Sequence, residues 1–314
     1  MGHTASLSQL QKPRWASLNG EVVAYDGVRV HISAEALTRA LSVFEGLKGY
    51  WDAAGREFGL RAPHRHYARL CRSAKIFEIP IHFTRDEYVD ACLGLARRLL
   101  TTDKDLWFRT TLYAVEGHWG EGTRADLVIT AFLQSQDPAP PMTMGVSTWR
   151  RSGDVQLPAR VKSSANYVVA RLARIEVGRR GYDDAVMLND RGRVAESSGS
   201  CIVALSEGVL VTPPHEEAVL PSISLDLVEQ LCRREGIPFE RRPLERTELM
   251  LADEVALVGT ISELTPVSEI DGTRFRTDGV LADLRRRYLE AMRRQKPLDG
   301  VDFALLKAGE LDAG

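Results

Sequence analysis

Lysine, cysteine and long apolar runs are all scarce in this chain of 314 residues. Lysine and arginine together number 41 against 43 acidic residues, and the formal net charge is -2. The sequence therefore has no basic excess of the kind that supports nucleic-acid binding. The four cysteines form no CxxC pair, which favours a reduced, cytoplasmic protein. The amino-terminal residues lack the apolar run of a signal peptide, and no stretch reaches membrane-spanning length. We therefore expect a soluble intracellular protein without a nucleic-acid or membrane partner.

The shortage of lysine leaves few candidates for a nucleophilic amine. Genome composition accounts for most of the bias towards arginine. An amine that loses its proton and acts as a nucleophile must be lysine, because a guanidinium stays charged. Among the lysines Lys162 is the most unusual, since small residues and then a predicted helix follow it. A desolvated lysine at this place would suit Schiff-base chemistry. A surface lysine before a helix N-cap is the alternative interpretation.

Hydrophobic periodicity predicts interspersed strands and helices without a regular βαβ rhythm, which favours an α+β fold with mixed sheets. Thr84 and Glu87 have the spacing of a capping box at the start of one helix. Helices are predicted at 64–77, 88–100, 164–180, 224–235 and 280–294. Strands are predicted at 21–25 and 28–32 around an Asp26-Gly27 turn, at 42–50 with a bulge at Gly46, and at 107–115, 127–133, 185–188, 193–196, 201–205, 209–212 and 254–258.

A proline-rich stretch predicts the boundary between two domains. Three of the four residues at 138–141 are proline, and such a run makes a stiff connector with no core-forming residues. We therefore expect a small amino-terminal α/β domain at 1–135, a linker at 136–145 and a larger carboxyl-terminal domain at 146–314. A long surface loop inside one domain is the alternative.

Three further segments place polar and small residues at the ends of predicted elements. Glu196 ends a strand and is followed by small residues, whereas Leu220-Pro-Ser-Ile-Ser opens a helix whose amides suit a phosphate. Gly259-Thr260 follows an apolar strand, and exposed amides in such a turn can bind an anion. Each segment also fits an ordinary structural role, such as a solvated turn or a serine-led helix start.

Together, the order and spacing of these motifs resemble the class IV (fold type IV) pyridoxal-phosphate aminotransferases, most closely the branched-chain amino-acid aminotransferases. The resemblance runs from about residue 17 to 295. It rests on Ser42-Val43-Phe44-Glu45-Gly46-Leu47, His66-Tyr67-Ala68-Arg69-Leu70, Trp107-Phe108-Arg109, Lys162, Tyr167, Glu196, Leu220-Pro-Ser-Ile-Ser, Gly259-Thr260 and Thr265-Pro266-Val267. The implied fold consists of two α/β domains with the cofactor in the cleft between them.

The resemblance implies that pyridoxal 5'-phosphate is the cofactor and that Lys162 forms a Schiff base with it and then moves a proton. Glu196 would pair with the pyridine nitrogen, and Tyr167 would hydrogen-bond the phenolic oxygen. The remaining residues would hold the phosphate or the ring, and they are Arg69, Leu220, Ile223, Ser224 and Thr260. No metal is expected.

The resemblance also implies a substrate pocket, in which Arg109 would meet the side-chain carboxylate of glutamate or 2-oxoglutarate. The turn at Thr260 and Ile261 would hold the α-carboxylate. The other implied pocket residues are Phe44, Gly46, Lys48 and Trp107. Four departures from the family pattern leave the amino-acid specificity open. They are Arg39 at the position of a pocket tyrosine, Lys48 where arginine is common, a shorter, proline-rich interdomain loop without the family's aromatic segment, and Cys201 in place of an asparagine. The added positive charge could indicate a more anionic substrate, or Arg39 could be a surface residue.

The implied reaction is the transfer of an amino group from a branched-chain L-amino acid to a 2-oxo acid such as 2-oxoglutarate, by a homodimer or a larger homo-oligomer. Alternatives within the same fold are D-amino-acid aminotransferase, (R)-selective amine aminotransferase and aminodeoxychorismate lyase. A catalytically inactive binding homologue is disfavoured, because Lys162, Glu196, Tyr167 and Arg69 are all retained.

Overall fold

The computed structural model describes residues 11–311. The prediction about a signal peptide falls largely on residues 1–10, which lie outside the described residues. Within them the chain forms two compact units. The amino-terminal unit contains residues 11–138, 161–165 and 292–311, and the carboxyl-terminal unit contains residues 139–160 and 166–291. The change of unit after residue 138 falls inside the predicted linker. Residues 161–165 and 292–311 also belong to the amino-terminal unit, although they lie in the range predicted for the carboxyl-terminal domain.

Sixteen strands and seven α-helices form among the described residues. The strands, numbered along the chain, are β1 (Trp15–Leu18), β2 (Glu21–Ala24), β3 (Ser42–Asp52), β4 (Glu57–Arg61), β5 (Asp105–His118), β6 (Glu121–Gln134), β7 (Met142–Arg150), β8 (Asp184–Leu188), β9 (Val194–Ser197), β10 (Cys201–Ser206), β11 (Val209–Thr212), β12 (Phe239–Arg241), β13 (Glu254–Gly259), β14 (Glu263–Ile270), β15 (Thr273–Arg274) and β16 (Phe303–Lys307). The helices are α1 (Glu35–Thr38), α2 (Pro63–Ile76), α3 (Arg85–Leu99), α4 (Asn166–Gly178), α5 (Ile223–Glu235), α6 (Arg246–Leu251) and α7 (Val280–Met292).

The amino-terminal unit is built on a seven-stranded sheet in the order β16-β4-β3-β5-β6-β1-β2. All of its strand pairs are antiparallel. One face of the sheet packs against α2 and α3, and the core of the unit forms there. Val43 and Leu47 of β3, Phe108 of β5 and Leu70 of α2 are fully buried in this core. The side chains that alternate with these core residues along β3 and β5 lie on the opposite face of the sheet.

The carboxyl-terminal unit is built on a nine-stranded mixed sheet in the order β12-β11-β10-β13-β14-β7-β8-β9, with β15 paired to β14. Strand β7 is parallel to both of its neighbours, whereas β10 and β13 are antiparallel. A small apolar cluster of α4 and β8 residues covers part of the sheet. One antiparallel sheet and one mixed sheet, each combined with helices, confirm the predicted α+β class, although only one of the two sheets is mixed.

Several predicted helices form where the sequence signals indicated. Helix α3 begins at Arg85 after a complete capping box, in which Glu87 N donates to Thr84 Oγ1 over 3.3 Å and Thr84 N donates to Glu87 over 2.7 Å. Helix α5 ends at Gly236, whose left-handed φ of 69° closes the last turn. No helix among residues 11–311 is long and apolar enough to cross a membrane.

The predicted hairpin turn at Asp26-Gly27 and the predicted bulge at Gly46 do not form. The hairpin turn lies at Asn19-Gly20 between β1 and β2, with φ values of 50° and 92° that suit an Asn-Gly turn. Residues Tyr25–Gly27 form a short 3-10 turn instead, and no strand follows at 28–32. Strand β3 pairs with β5 in continuous register through Gly46, so it has no bulge there. The predicted linker is also shorter, since β7 begins at Met142.

Candidate active site

Five residues that the sequence assigns to the substrate lie on one face of the amino-terminal sheet. In the antiparallel register Gly46 pairs with Arg109, and Lys48 pairs with Trp107. Phe44 lies two residues before Gly46 on the same strand. Because strand side chains alternate between faces, all five lie opposite the core formed with α2 and α3. We call these five residues the substrate face.

Lys162 belongs to the same unit as the substrate face. Its amide donates to Ser73 Oγ of α2 over 3.1 Å, and its carbonyl accepts from the Phe44 amide over 2.9 Å. The Lys162 Nζ atom lies 4.8 Å from the centre of the Phe44 ring. The Arg109 guanidinium carbon lies 4.1 Å from the centre of the same ring. The structure therefore brings Lys162 and Arg109 together at one aromatic ring.

Gly46 and Trp107 make close contact on the substrate face. A Cβ atom at position 46 would lie 3.2 Å from Trp107 Nε1, so glycine leaves room for the indole. Trp107 is 5% exposed and stacks on Phe132 with ring centres 5.6 Å apart. Its Nε1 has no hydrogen-bond partner within the described part of the chain. The indole N–H is therefore a buried donor that a bound acceptor can use.

Lys48 has an acidic partner within the amino-terminal unit. Its Nζ lies 3.8 Å from Asp105 Oδ2 and 5.0 Å from the centre of the Tyr50 ring. Asp105 also accepts two hydrogen bonds from Arg293, over 3.2 and 3.1 Å. Burial raises the pKa of Asp105, and the charges of Lys48 and Arg293 oppose that rise. Asp105 thus faces two cations, and its single negative charge offsets only part of the charge of Lys48.

Arg39 makes its contacts outside the substrate face. It follows α1 and donates to Glu35 Oε1 over 3.2 Å. Its guanidinium carbon lies 4.8 Å from the centre of the Trp119 ring, beside the turn between β5 and β6. None of these contacts of Arg39 involves Phe44 or Arg109.

Arg69 lies on α2, on the core side of β3. Its Nε and Nη2 each donate to a different carboxylate oxygen of Glu45 over 2.7 Å, and His66 Nδ1 donates to the same carboxylate over 2.7 Å. Burial acts to raise the pKa of Glu45, but the charge and hydrogen bonds of Arg69 and the contact with His66 lower it to about 2. Burial lowers the pKa of His66 to about 4. An ionised Glu45 and a neutral His66 thus fix the orientation of the Arg69 guanidinium.

Glu45 and His66 lie within two of the motifs that resemble the family, but no role is predicted for either from the sequence. A signal was present in the strand, because the period-2 pattern of β3 puts Glu45 on the core face between apolar neighbours. A carboxylate on a buried face requires a paired cation. Arg69, three residues after His66 on the next helix, was the candidate for that partner.

Glu196 lies in β9 of the carboxyl-terminal unit and is 8% exposed. Arg151 Nη2 lies 2.8 Å from its Oε1, and the Leu220 amide donates to its Oε2 over 3.2 Å. The structure therefore brings two of the predicted cofactor residues, Glu196 and Leu220, into direct contact. Sequence reasoning missed Arg151, which lies far from both along the chain.

The start of α5 and the turn between β13 and β14 carry other predicted cofactor residues. Ser222 caps the helix by accepting from the Leu225 amide over 3.2 Å. Ile223 and Ser224 are the first two residues of the helix, where amides point outward and the helix dipole favours an anion. Thr260 and Ile261 lie in the turn that leads from β13 to β14. Tyr167 lies in the first turn of α4.

These side chains fit the chemistry of a phosphorylated pyridine aldehyde. Lys162 is an amine of the kind that reacts with an aldehyde, Glu196 is a buried carboxylate of the kind that suits a ring nitrogen, and the start of α5 has amides of the kind that suit a phosphate. Lys162 belongs to the amino-terminal unit, and the other two groups belong to the carboxyl-terminal unit. In the described residues no cluster of three or more histidine, cysteine or acidic side chains could hold a metal ion.

Comparisons with known proteins agree with this chemistry. The family model of amino-transferase class IV matches residues 42–270. The branched-chain-amino-acid aminotransferase of Escherichia coli (strain K12) is 32% identical over 272 residues, covering 83% of this chain and 86% of that protein. A putative branched-chain-amino-acid aminotransferase of Methanocaldococcus jannaschii is 35% identical over 262 residues, covering 81% and 87%.

Solved structures give the same result for the fold. The branched-chain aminotransferase of Thermoproteus uzoniensis with norvaline matches with a TM-score of 0.87 at 29% identity, over 93% of this chain and 99% of that chain. The PLP-form of the branched-chain amino acid aminotransferase of Thermobaculum terrenum matches with a TM-score of 0.82 at 30% identity, over 90% and 95%. The family match, the relatives and the donor set of the site agree, and this chain therefore belongs to the class IV aminotransferases.

Proposed function

We propose that this class IV aminotransferase uses pyridoxal phosphate to transfer the amino group of a branched-chain L-amino acid to a 2-oxo acid such as 2-oxoglutarate. The observation that carries the proposal is the approach of Lys162 and Arg109 to the ring of Phe44, at 4.8 and 4.1 Å. It associates a nucleophilic amine with a carboxylate-binding cation and an apolar surface. The names of the relatives support the branched-chain substrate.

The bound cofactor supplies the electron sink for the electron pair that is released when the substrate's α-carbon loses its proton. Lys162 would hold the cofactor through Nζ at its aldehyde carbon with loss of water. Once the substrate's amino group had replaced it there, the freed amine of Lys162 would carry the proton between the reacting carbons. Its main chain is held on both sides, by Ser73 Oγ at 3.1 Å and by the Phe44 amide at 2.9 Å. This support keeps the base of the side chain fixed while Nζ moves.

Glu196 would stabilise the positive charge of the protonated pyridine nitrogen, and its burial would strengthen that ion pair. Tyr167 would donate its hydroxyl hydrogen to the cofactor's phenolic oxygen, and Leu220 would pack against the ring. The phosphate would be held by four donors, namely the Ile223 amide, the Ser224 hydroxyl, Thr260 and Arg69. Arg69 is suited to this role because Glu45 and His66 fix the plane of its guanidinium.

The substrate face accommodates both partners of the reaction. Phe44, Trp107 and the small Gly46 offer an apolar surface to a branched side chain, and Arg109 binds the distal carboxylate of 2-oxoglutarate. The buried Trp107 N–H is a second donor on this surface. The amides of the Thr260–Ile261 turn hold the α-carboxylate that all substrates share.

We also propose that the protein acts in the cytoplasm as a homodimer or a larger homo-oligomer. The resemblance of the sequence to its family supports the assembly, and the absence of CxxC pairs supports the compartment. Light scattering of the purified protein tests the assembly, because a mass near 34.9 kDa would indicate a monomer and would contradict it.

The cofactor assignment is tested by adding pyridoxal phosphate to the purified protein and recording the visible absorption of the complex. Reduction with borohydride should fix the cofactor on Lys162, which peptide mass spectrometry identifies. A Lys162→Ala variant should not be labelled, whereas Lys75→Ala, which removes an exposed lysine of α2, should be labelled like the wild type. A protein that takes up no pyridoxal phosphate would contradict the proposed function.

The substrate assignment is tested with a panel of donors and acceptors. We expect transfer from L-leucine, L-isoleucine and L-valine to 2-oxoglutarate. Activity confined to D-amino acids or (R)-amines, or release of pyruvate from aminodeoxychorismate, would favour one of the alternative activities instead. Arg109→Ala should raise the KM for 2-oxoglutarate, whereas Arg39→Tyr should change it little because Arg39 contacts Glu35 and Trp119. An unchanged KM in Arg109→Ala would contradict the role of Arg109.

A further inference from the structure

Arg151 is a buried arginine beside the proposed cofactor residues, and the mechanism above gives it no role. It follows the last residue of β7, and its amide donates to the carbonyl of Leu188 over 2.9 Å. Its side chain is only 5% exposed. A buried guanidinium needs partners for its charge and its donors, and those partners show what the residue holds in place.

The partners of Arg151 are Glu196 and the short segment that carries Leu220. Arg151 Nη2 lies 2.8 Å from Glu196 Oε1, and Arg151 Nε donates to the carbonyl of Ala218 over 3.3 Å. The Leu220 amide donates to the second carboxylate oxygen of Glu196 over 3.2 Å. Arg151, Glu196 and residues 218–220 therefore form one closed set of hydrogen bonds.

The backbone of the 218–220 segment needs this support. Ala218 has a φ of 65°, in the left-handed region that residues other than glycine rarely adopt. Such a conformation persists where surrounding contacts hold it. The hydrogen bond from Arg151 to the Ala218 carbonyl is a contact of this kind. It fixes the direction from which the Leu220 amide reaches Glu196.

We propose that Arg151 is a positioning residue, which fixes the Glu196 carboxylate for the pyridine nitrogen and the 218–220 segment for the ring. This inference rests on the proposed function. The planar fork of arginine bonds Glu196 and Ala218 at the same time, whereas the single ammonium of a lysine cannot reproduce that geometry. Because Glu196 acts on the cofactor ring, the loss of Arg151 affects the chemical step more than substrate binding.

The chain offers a matched control in the same unit. Arg276 Nη2 lies 2.6 Å from the buried carboxylate of Glu254, which also accepts from the amides of Val280 and Leu281 over 3.0 and 2.8 Å. This pair likewise joins an arginine to a buried carboxylate backed by main-chain amides. It contains none of the residues that we assign to cofactor or substrate.

The experiment compares Arg151→Met, Arg151→Lys and Arg276→Met with the wild-type holoenzyme. Each protein is saturated with pyridoxal phosphate, and its visible absorption, cofactor Kd, kcat and KM are measured. For Arg151→Met we expect a shifted absorption of the bound cofactor and a kcat lowered about 100-fold with a nearly unchanged KM. Arg151→Lys should fall between this variant and the wild type. Arg276→Met should keep the wild-type spectrum and kcat, even if it unfolds more easily.

The proposal is overturned if Arg151→Met binds the cofactor with the wild-type spectrum and kcat. It is also overturned if Arg276→Met shows the same spectral shift and loss of kcat, because the effect would then be a general loss of stability. If Arg151→Met does not fold, Arg151→Lys decides the question, and a wild-type spectrum and kcat in that variant reject the positioning role. A wild-type protein that does not bind pyridoxal phosphate would instead refute the proposed function.

Discussion

The buried cluster of Glu45, His66 and Arg69 should make the protein less stable in mild acid. The pKa of His66 is lowered from 6.5 to about 4, because burial penalises its charged form and the charges of Arg69 and Arg61 add to that effect. Between these two pH values the unfolded chain binds a proton that the folded protein does not. The free energy of unfolding therefore falls as the pH is lowered from 6.5 towards 4.

The size of this effect follows from the shift. A difference of 2.5 pH units, at about 1.4 kcal/mol per unit, amounts to about 3 kcal/mol for His66. Glu45 has a depressed pKa of about 2, so its own contribution is lost only below its ordinary value of 4.5. Glu45 therefore contributes little between pH 6.5 and 4.5. The lowered pKa of His215 acts in the same interval, so the contribution of His66 is read from the difference in slope between the wild type and a His66 variant.

The assay is urea unfolding of the holoenzyme at several pH values between 7 and about 4.5, with His66→Asn and His64→Asn as variants. Asparagine keeps an N–H donor for Glu45 but does not titrate, so the pH slope of His66→Asn should be smaller by up to about 1.4 kcal/mol per unit. His64 is exposed on the same helix, and its variant should keep the wild-type slope. Because His66 contacts Glu45, which holds Arg69, the cofactor Kd of each protein is measured at each pH and its contribution to stability is subtracted. If His66→Asn has the wild-type slope, the reasoning is refuted.

Two further predictions concern the stability of the amino-terminal unit. A methyl group at Gly49 of β3 would overlap the ring of Phe58, so Gly49→Ala should lower the free energy of unfolding by about 1–3 kcal/mol. Gly94 of α3 has open space around it, so Gly94→Ala should raise the free energy of unfolding by about 0.5–1 kcal/mol. Equal effects of Gly49→Ala and Gly94→Ala would contradict this account. Thr84→Ala removes the hydroxyl that accepts from the Glu87 amide and should cost about 1 kcal/mol in thermal or urea unfolding, whereas no loss would show that the capping box does not stabilise α3.

Sequence patterns predicted the elements whose signals are local. Helix α3 has its capping box and apolar periodicity within a few residues, and strands β8 to β11 are separated by clear turn residues. The hairpin at Asn19-Gly20 also has a local signal, but the only hairpin turn predicted in this region was at Asp26-Gly27. Both dipeptides are typical of hairpin turns. The choice depends on which flanking residues find a partner, and β1 pairs with β6 far along the chain.

Elements that depend on distant partners were not predictable in this way. Strand β16 at Phe303–Lys307 pairs with β4 at Glu57–Arg61, more than 200 residues away. No element is predicted from the sequence after the helix at 280–294. Its strand forms because β4 presents an unpaired edge, and that edge exists only after the sheet has formed. Long-range pairing of this kind also explains why residues 292–311 belong to the amino-terminal unit.

The candidate site shows the same division between local and distant information. The period-2 pattern of β3 is enough to put Phe44, Gly46 and Lys48 on one face and Glu45 on the other. By contrast, Arg151 lies 45 residues before Glu196, and no motif connects the two. A buried carboxylate predicts that some cation is near, but only the structure shows which one.

The partners of Lys48 and Arg39 change what these two basic residues indicate about the charge of the substrate. The sequence suggested that Lys48 and Arg39 could favour a more anionic substrate. In the structure Lys48 lies beside the buried Asp105, and Arg39 donates to the buried Glu35. Each carboxylate offsets part of the positive charge of the cation that it contacts, although Asp105 also binds Arg293. The count of basic residues therefore overstates the positive charge that the substrate face presents, and the proposed branched-chain substrate rests on the apolar surface of Phe44 and Trp107.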